Sequence, residues 1–115
     1  MLLHTLKGRA TFKRVLTRGL MKRSDGLAVY ASPGGAGGNR YGFVVTSKVG
    51  QAVVRNKVRR WAKELCRRWD GSLSQGKELV VLANRPEAAE AYDHFAAHLA
   101  RALRGLEVVE GELVY

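Results

Sequence analysis

Histidines and acids are the side chains of this chain that could carry out hydrolysis or hold a metal. The histidines are His4, His94 and His98, and the last two stand four residues apart, a spacing that can bind a metal. The segment HFAAH that contains them lacks the glutamate of a metalloprotease motif, and no cysteine or third histidine is near it in sequence. We therefore expect no metal site on the protein.

Carboxylates are too scattered for a nuclease that works with two metal ions. Such an enzyme needs clustered acids to hold its cations. Residues 1–68 contain only Asp25 and Glu64, which are far apart in sequence. The acids of residues 69–115 are spread over a predicted helix and tail and are typical of solubilising charges. The sequence therefore predicts no catalytic residues on the protein itself.

The single cysteine, Cys66, cannot form an internal disulfide, so nothing points to an oxidising compartment. Cys66 has no metal-ligand spacing around it, so we interpret it as a small hydrophobe that is buried or half-buried. No apolar run approaches the roughly 18 residues of a membrane span. The start, MLLHTLKGRA, has too short an apolar segment for a signal peptide. These features predict a soluble, cytoplasmic protein with no membrane partner.

The strongest signal is a basic segment, Lys48–Trp69, which carries eight Lys or Arg and one acid, Glu64. Its apolar residues recur with the period of one helix face, at Val54, Val58, Trp61, Leu65 and Trp69. Like charges four residues apart on the remaining faces repel each other, whereas an ordinary surface helix mixes signs. A helix over about residues 52–69 that faces a polyanion is therefore predicted, and nucleic acid is favoured over a plain solvated surface.

The charge of the whole chain is uneven. Its net charge is +10, with 16 Lys or Arg and two acids in residues 1–68 but four Lys or Arg and eight acids in residues 69–115. A basic part beside a mildly acidic part indicates a partner on one side of the molecule.

The remaining patterns predict one domain over residues 1–115, with a core of about residues 6–104. Helices are expected over 11–18 and 87–104, strands over 27–32, 40–46 and 78–83, and a flexible Gly-rich loop over 33–39. Residues 20–26 are a loop or the start of a strand, with a turn at Asp25-Gly26. Residues 105–115 are a marginal strand or a loose tail. The order helix-strand-strand-helix-strand-helix predicts an α+β fold, an α-β sandwich with one small sheet.

Aromatic residues are interleaved with the N-terminal cations, at Phe12, Tyr30, Tyr41 and Phe43. Rings beside cations suit single-stranded nucleic acid, on which a base can stack. Tyr30, with its small neighbours Ala28 and Ser32, is the best candidate for an open surface. Phe12 and Phe43 fit a core position equally well.

The basic segment resembles a known signature. Ser47-Lys48-Val49-Gly50 followed by Ala52-Val53-Val54-Arg55-Asn56-Lys57-Val58-Arg59-Arg60 is similar to the motif of the bacterial ribonuclease P protein subunit, S-K-x-G, then A-V-x-R-N-R/K, an apolar residue and K/R-R. The order of elements over about residues 6–104 agrees with that family. The chain departs from it at Lys57, where many members have Arg, and at Leu16, where members often have Phe.

The resemblance implies a mixed sheet with a left-handed β-α-β crossover, the fold type of a ribosomal protein's second domain. It implies a subunit of a ribonucleoprotein that removes the 5′ leader of precursor tRNA, with catalysis by the RNA subunit and Mg²⁺ held mainly by that RNA. DNA is not an expected partner. The residues implied for binding the ribonuclease P RNA are Arg55, Asn56, Lys57, Arg59, Arg60, Lys63 and Arg67. Those implied for binding the leader are Phe12, Lys13, Val15, Tyr30 and Lys48.

Two other functions stay open. One is a different non-catalytic RNA-binding protein, such as a ribosome-associated one. The other is a self-sufficient ribonuclease that uses His94 or His98, which the sequence disfavours because both lie in the less basic half.

Overall fold

The computed structural model describes residues 3–35 and 37–114. The helices are α1 (Arg9–Arg18), α2 (Ala52–Trp69) and α3 (Tyr92–Gly105), and the strands are β1 (Leu20–Ser24), β2 (Leu27–Pro33), β3 (Arg40–Val45) and β4 (Lys77–Ala83). Short 3₁₀ helices span Asp70–Ser72 and Pro86–Ala89. The predicted order of elements is confirmed, with β1 in addition, and residue 36 of the predicted Gly-rich loop lies outside the described residues. None of the helices described is long and apolar enough to cross a membrane.

The four strands form one mixed sheet in the order β1-β2-β4-β3. Strand β4 is antiparallel to β2 and parallel to β3, so that Val81 pairs with Val29 on one side and with Phe43 on the other. Side chains of β4 are buried on both faces of the sheet, with Val81 in one apolar cluster and Val80 in another, which explains the continuous apolar run of this strand. Helix α2 connects β3 to β4. The small mixed sheet of an α+β sandwich is confirmed, and the left-handed sense of the crossover stays a prediction.

For residues 20–26 the sequence was compatible with either a loop or the start of a strand. In the structure this segment contains the edge strand β1. It pairs antiparallel with β2, with Lys22 opposite Val29, and Ser24 is its one buried residue. The predicted turn is confirmed, since Asp25 and Gly26 both have positive φ, 34° and 88°. Two consecutive residues of positive φ make the tight turn that matches the twist of a hairpin. Exposed cations on an edge strand also discourage pairing with other chains.

Helices cover both faces of the sheet. Helices α2 and α3 pack on one face, where Val58 and Leu99 join Val29 and Val81 in the main core. Helix α1 packs on the other face. There a second cluster is formed by the buried Leu6, Val15 and Val80 and the partly buried Phe12, Tyr30 and Val44. The alternation along β2 therefore directs Val29 to the main core and Tyr30 to the second cluster.

The last helix begins later than predicted. Residues 87–104 were expected to form one helix, but Pro86–Ala89 is a 3₁₀ helix and α3 starts at Tyr92. Ala91 is extended, with φ −161°, and separates the two. Asp93 lies in the first turn of α3, where its negative charge complements the helix dipole.

The C-terminal segment folds back onto the core. Val108 and Leu113 are buried, and Val109 forms an isolated bridge with Leu73. The indole N–H of Trp69 donates to the carbonyl oxygen of Val114 at 2.9 Å. The sequence left a marginal strand and a loose tail open for residues 105–115, and the structure agrees better with the marginal strand. The segment packs over the C-terminal end of α2.

Candidate nucleic-acid interface

The outer face of α2 presents cations and an amide. The inward side chains, Val58, Ala62, Leu65, Cys66 and Trp69, are buried, so the residues on the opposite side face solvent. A shallow depression on that side is lined by Asn56, Arg59, Arg60, Lys63, Glu64 and Arg67. We call the five of these other than Glu64 the α2 stripe. Asn56, Arg60, Lys63 and Arg67 are separated by three or four residues and therefore follow one line along the helix, with Arg59 beside it.

Contacts within this surface leave most of its charge unpaired. The Arg59 guanidinium donates to Asn56 Oδ1 at 2.9 Å, and Arg67 pairs with Glu64, the one acid of α2. No hydrogen bond or ion pair to another described residue involves the side chains of Arg60 or Lys63. Exposed pairs such as Arg67–Glu64 contribute little to stability and can exchange partners easily. The surface can therefore accept several phosphates at once.

Two other residues predicted to bind RNA lie beside the α2 stripe. Arg55 and Lys57 flank Asn56 and point about 100° to either side of it. Both are half-buried, and the Lys57 ammonium lies 5.3 Å from the centroid of the Trp61 ring. A cation over a ring is attracted to its negative face. The structure thus brings five of the seven predicted residues together in the α2 stripe and holds Lys57 over an aromatic neighbour.

The second candidate surface lies where α1 meets the sheet. The ring of Phe12 lies directly over Gly42 of β3, since a Cβ at Gly42 would lie 2.4 Å from Phe12 Cε1. Glycine at this position therefore permits α1 to approach the strand. Tyr30 borders the same second cluster and is half-buried. Two rings with partly accessible surface thus lie at the edge of one apolar cluster.

The five predicted leader-binding residues separate into two groups. Phe12, Val15 and Tyr30 come together in the second cluster, but Val15 is fully buried and can only support the surface from beneath. Lys13 is exposed on the outer side of α1, beside a depression lined also by Ala10, Arg14, Thr17 and Arg18. Lys48 is exposed in the turn between β3 and α2. The structure does not place either lysine in the cluster that holds the two rings.

Sequence reasoning missed a cavity beside Tyr30. It has a volume of about 230 Å³ and is lined by Tyr30, Leu82, Asn84, Arg23 and Arg85 among others. Arg23 comes from β1, which the sequence did not identify with certainty as a strand. Asn84 and Arg85 are the two residues that follow β4, and their position at the end of a central strand was the signal available.

Polar contacts fix the C-terminal end of α2 against β3. The Tyr41 hydroxyl donates to Asp70, and the Asn39 amide donates to the same carboxylate oxygen at 3.2 Å. Asn39 Oδ1 accepts the backbone N–H of Lys77 at 2.8 Å. Burial, and secondly the hydrogen bond to Asp70, raise the pKa of Tyr41 far above its usual value. Tyr41 is thus a buried neutral donor, although the sequence offered it as one of four rings near cations.

Cys66 is buried, as predicted. Burial, and secondly the negative charge of Asp70, raise the pKa of its thiol well above the usual value. A thiol that stays protonated is a poor nucleophile and a poor metal ligand.

Comparison with known proteins identifies the family. The family model described as Ribonuclease P matches residues 3–107. The chain belongs to the ribonuclease P protein family. A curated relative, the ribonuclease P protein component of Caldanaerobacter subterraneus subsp. tengcongensis, is 38% identical over 89 residues, which cover 77% of this chain and 76% of the relative.

Solved structures of ribonuclease P proteins share the fold. The protein of Staphylococcus aureus matches with a TM-score of 0.84 at 24% identity, over 94% of this chain and 99% of that chain. The protein of Thermotoga maritima matches with a TM-score of 0.77 at 27% identity, over 89% of this chain and 96% of that chain. The family predicted from residues 47–60 is therefore confirmed. A ribonuclease P protein is a component of an endoribonuclease and a partner of the ribonuclease P RNA.

Proposed function

We propose that this ribonuclease P protein promotes removal of the 5′ leader from precursor tRNA by binding, while the RNA subunit performs the cleavage. The observation that carries this proposal is the α2 stripe, in which Arg67 pairs with Glu64, the single acid of the helix. The other cations of the stripe lie along the same side of the helix and have no acidic partner among the described residues. Such a surface suits phosphates and not the acid–base work of cleavage.

The partner of the α2 stripe is the ribonuclease P RNA. Fixed cations in a line neutralise phosphates where two RNA strands approach each other, and each contact releases counterions. We assign Arg55 and Lys57 to the margins of the same contact, because they flank the stripe. Phosphate contacts discriminate little between sequences, so RNA shape must set the register.

The leader of precursor tRNA occupies the opposite face of the sheet, beside α1. Phe12 and Tyr30 offer rings on which unpaired bases can stack, and Val15 supports them from the buried side. Lys13 and Lys48 are exposed cations that would contact the leader's phosphates outside the ring-lined part. Mature tRNA has no leader and loses these contacts, so the protein favours the precursor by differential binding.

Magnesium belongs to the RNA subunit in this proposal. Mg²⁺ is bound by carboxylates and phosphates in octahedral geometry. The α2 stripe offers cations and an amide, and the neighbouring Glu64 is paired with Arg67. The protein's contribution is to lower repulsion between phosphates, which reduces the Mg²⁺ concentration that the RNA requires.

Reconstitution tests the proposal. The chain is added to a bacterial ribonuclease P RNA at low Mg²⁺, and cleavage of precursor tRNA at the 5′ maturation site is measured. We expect stimulation that saturates with protein and is weakened by replacing cations of the α2 stripe.

Three results would reject the proposal. Absence of stimulation at every protein concentration would reject it outright. Tight RNA binding without stimulation would indicate a non-catalytic binder of another RNA. Cleavage by the protein alone, lost in His94→Ala or His98→Ala, would indicate a self-sufficient ribonuclease.

A further inference from the structure

The β1–β2 turn brings an acid to the two histidines of α3. His94 and His98 lie on one face of the helix, and Asp25 Oδ2 is 2.7 Å from His94 Nε2 and 3.8 Å from His98 Nε2. One ligand atom from each residue lies within 4.8 Å of the other two. The sequence predicted no metal site here because no third ligand is near these histidines in sequence. The turn supplies that third ligand, Asp25, from the other half of the chain.

These spacings fit ligands that share one small cation. Two ligands of a tetrahedral Zn²⁺, each about 2.0–2.2 Å from the ion, lie about 3.3 Å from each other. The two carboxylate–imidazole distances fall on either side of that value. Shifts of about half an ångström in side chains would equalise them, and the Asp25 side chain is 43% exposed, which leaves it room to move.

His94 Nε2 is buried without a hydrogen-bond partner among the described residues. The Asp25 oxygen is close enough for a hydrogen bond but lies away from the direction in which the ring N–H would point. A buried polar atom without a partner is costly and calls for an explanation. When an imidazole and a carboxylate bind the same ion, the ion lies along the lone pair of the imidazole nitrogen and the carboxylate oxygen lies to one side of that direction. The Asp25 oxygen has this position relative to His94 Nε2.

His98 has the outer-shell partner that metal-bound histidines usually have. Its Nδ1 lies 2.5 Å from the hydroxyl oxygen of Ser24. With Nδ1–H donating to Ser24, the lone pair of Nε2 is free to face Asp25 and His94. Ser24 is buried, so this hydrogen bond also holds the plane of the ring.

We propose that Asp25, His94 and His98 bind one divalent transition-metal ion of the Zn²⁺ class, with water completing the coordination. Two imidazoles select such an ion over Mg²⁺, which prefers oxygen ligands. The ion would link the β1–β2 turn to α3 and hold the edge of the sheet beside the cavity at Tyr30. The site is structural and does not depend on the proposed role in leader removal.

Titration with the metal alone tests this site. The full chain is freed of metal with a chelator and titrated with Zn²⁺ by calorimetry, and with Co²⁺ while visible absorption is recorded. We expect one ion per chain and the absorption of a Co²⁺ site with nitrogen and oxygen ligands. The matched control is His4→Ala, which also removes one histidine but leaves the site intact and should bind as the unmodified chain does.

Variants of the ligands separate the site from adventitious binding. His98→Ala should weaken Zn²⁺ binding by more than about a hundredfold, and Ser24→Ala by about tenfold, as for an outer-shell partner. Asp25→Asn keeps the turn, because Asn also tolerates positive φ, so it tests the carboxylate in a folded chain. Zn²⁺ should raise the melting temperature of the unmodified chain and not that of Asp25→Asn.

Three results would overturn the proposal. They are absence of Zn²⁺ binding, equal binding by the chain and all three variants, or a thiolate absorption band in the Co²⁺ complex. The last would show that the metal selects an unfolded chain with Cys66 exposed, because this thiol is buried in the folded protein.

Discussion

The salt dependence of RNA binding should fall by a defined amount when two cations of the α2 stripe are removed. Arg60→Ala with Lys63→Ala is the most informative pair, because both side chains are exposed and neither is bonded to another described residue. Their truncation leaves no buried partner unsatisfied. We therefore expect the free energy of unfolding to change by less than about 0.5 kcal/mol, as for ordinary surface substitutions.

The magnitude follows from counterion release. Each phosphate neutralised by the protein contributes about 0.7 to the slope of log K against log salt for a single strand and about 0.9 for a duplex. If both side chains contact phosphates, the slope should flatten by about 1.4–1.8. With the remaining contacts unchanged, affinity at about 0.1 M salt should fall by roughly 25- to 60-fold.

The assay is equilibrium binding to the ribonuclease P RNA at several monovalent salt concentrations. Arg101→Ala with Arg104→Ala is the matched control, since it removes the same charge from exposed positions of α3 that border a different depression. This control should leave the slope nearly unchanged. An unchanged slope in the α2 double variant, or an equal decrease of the slope in both double variants, would refute the α2 stripe as the contact surface. RNA binding would then be attributed to the overall charge of +10 alone.

Three further outcomes are expected. Tyr30→Ala should weaken binding of precursor tRNA by about 1–3 kcal/mol through loss of base stacking and leave binding of mature tRNA unchanged. Tyr30→Phe, the control, should bind precursor tRNA nearly normally. Equal losses of affinity for both tRNAs would show that the role of Tyr30 is only structural. Gly42→Ala should lower the free energy of unfolding in urea by about 1–3 kcal/mol, because the new methyl group would displace the Phe12 ring. Gly71→Ala is the control, since a Cβ at that position has no neighbouring atom within 4 Å and the substitution should leave stability nearly unchanged. The folded chain keeps the Cys66 thiol protonated, whereas the unfolded chain ionises it above about pH 8.5, so stability should fall by up to about 1.4 kcal/mol per pH unit above that pH. Cys66→Ala should lose this slope between about pH 8.5 and 10, below the range in which Tyr41 of the unfolded chain ionises. An identical slope in both proteins over that range would contradict the raised pKa of the Cys66 thiol.

The basic helix was predictable because its two signals are local. The apolar period from Val54 to Trp69 fixes which side is buried, and the cations between them must then face outward. The bounds at residues 52 and 69 agree with the structure for the same reason. Strand β4 was predictable from its apolar run, since a strand with apolar clusters packed on both faces of its sheet is apolar on both sides.

Features that depend on contacts between distant segments could not be predicted. Strand β1 lies at an edge, so four of its five residues are exposed and the alternation that marks a strand is absent. The meeting of Asp25 with His94 requires the pairing of β1 with β2 and the packing of α3 against both. The closeness of Phe12 to Gly42 likewise depends on where α1 crosses the sheet. In each case the sequence supplied the residues but not the tertiary geometry.

Strand β3 links the two proposed binding surfaces. Its odd-numbered residues Tyr41 and Phe43 pack in or against the main core beneath α2, while Gly42 lies under Phe12 of α1 on the opposite face. Helix α2 follows β3 in the chain, and the hydrogen bond from the Tyr41 hydroxyl to Asp70 fixes the C-terminal end of α2 to the same strand. Because side chains alternate across one short strand, the basic helix and the ring-lined surface are held on opposite sides of the sheet in a fixed relation. A protein built in this way can bind a large RNA on one side and leave the other side open for a single-stranded leader.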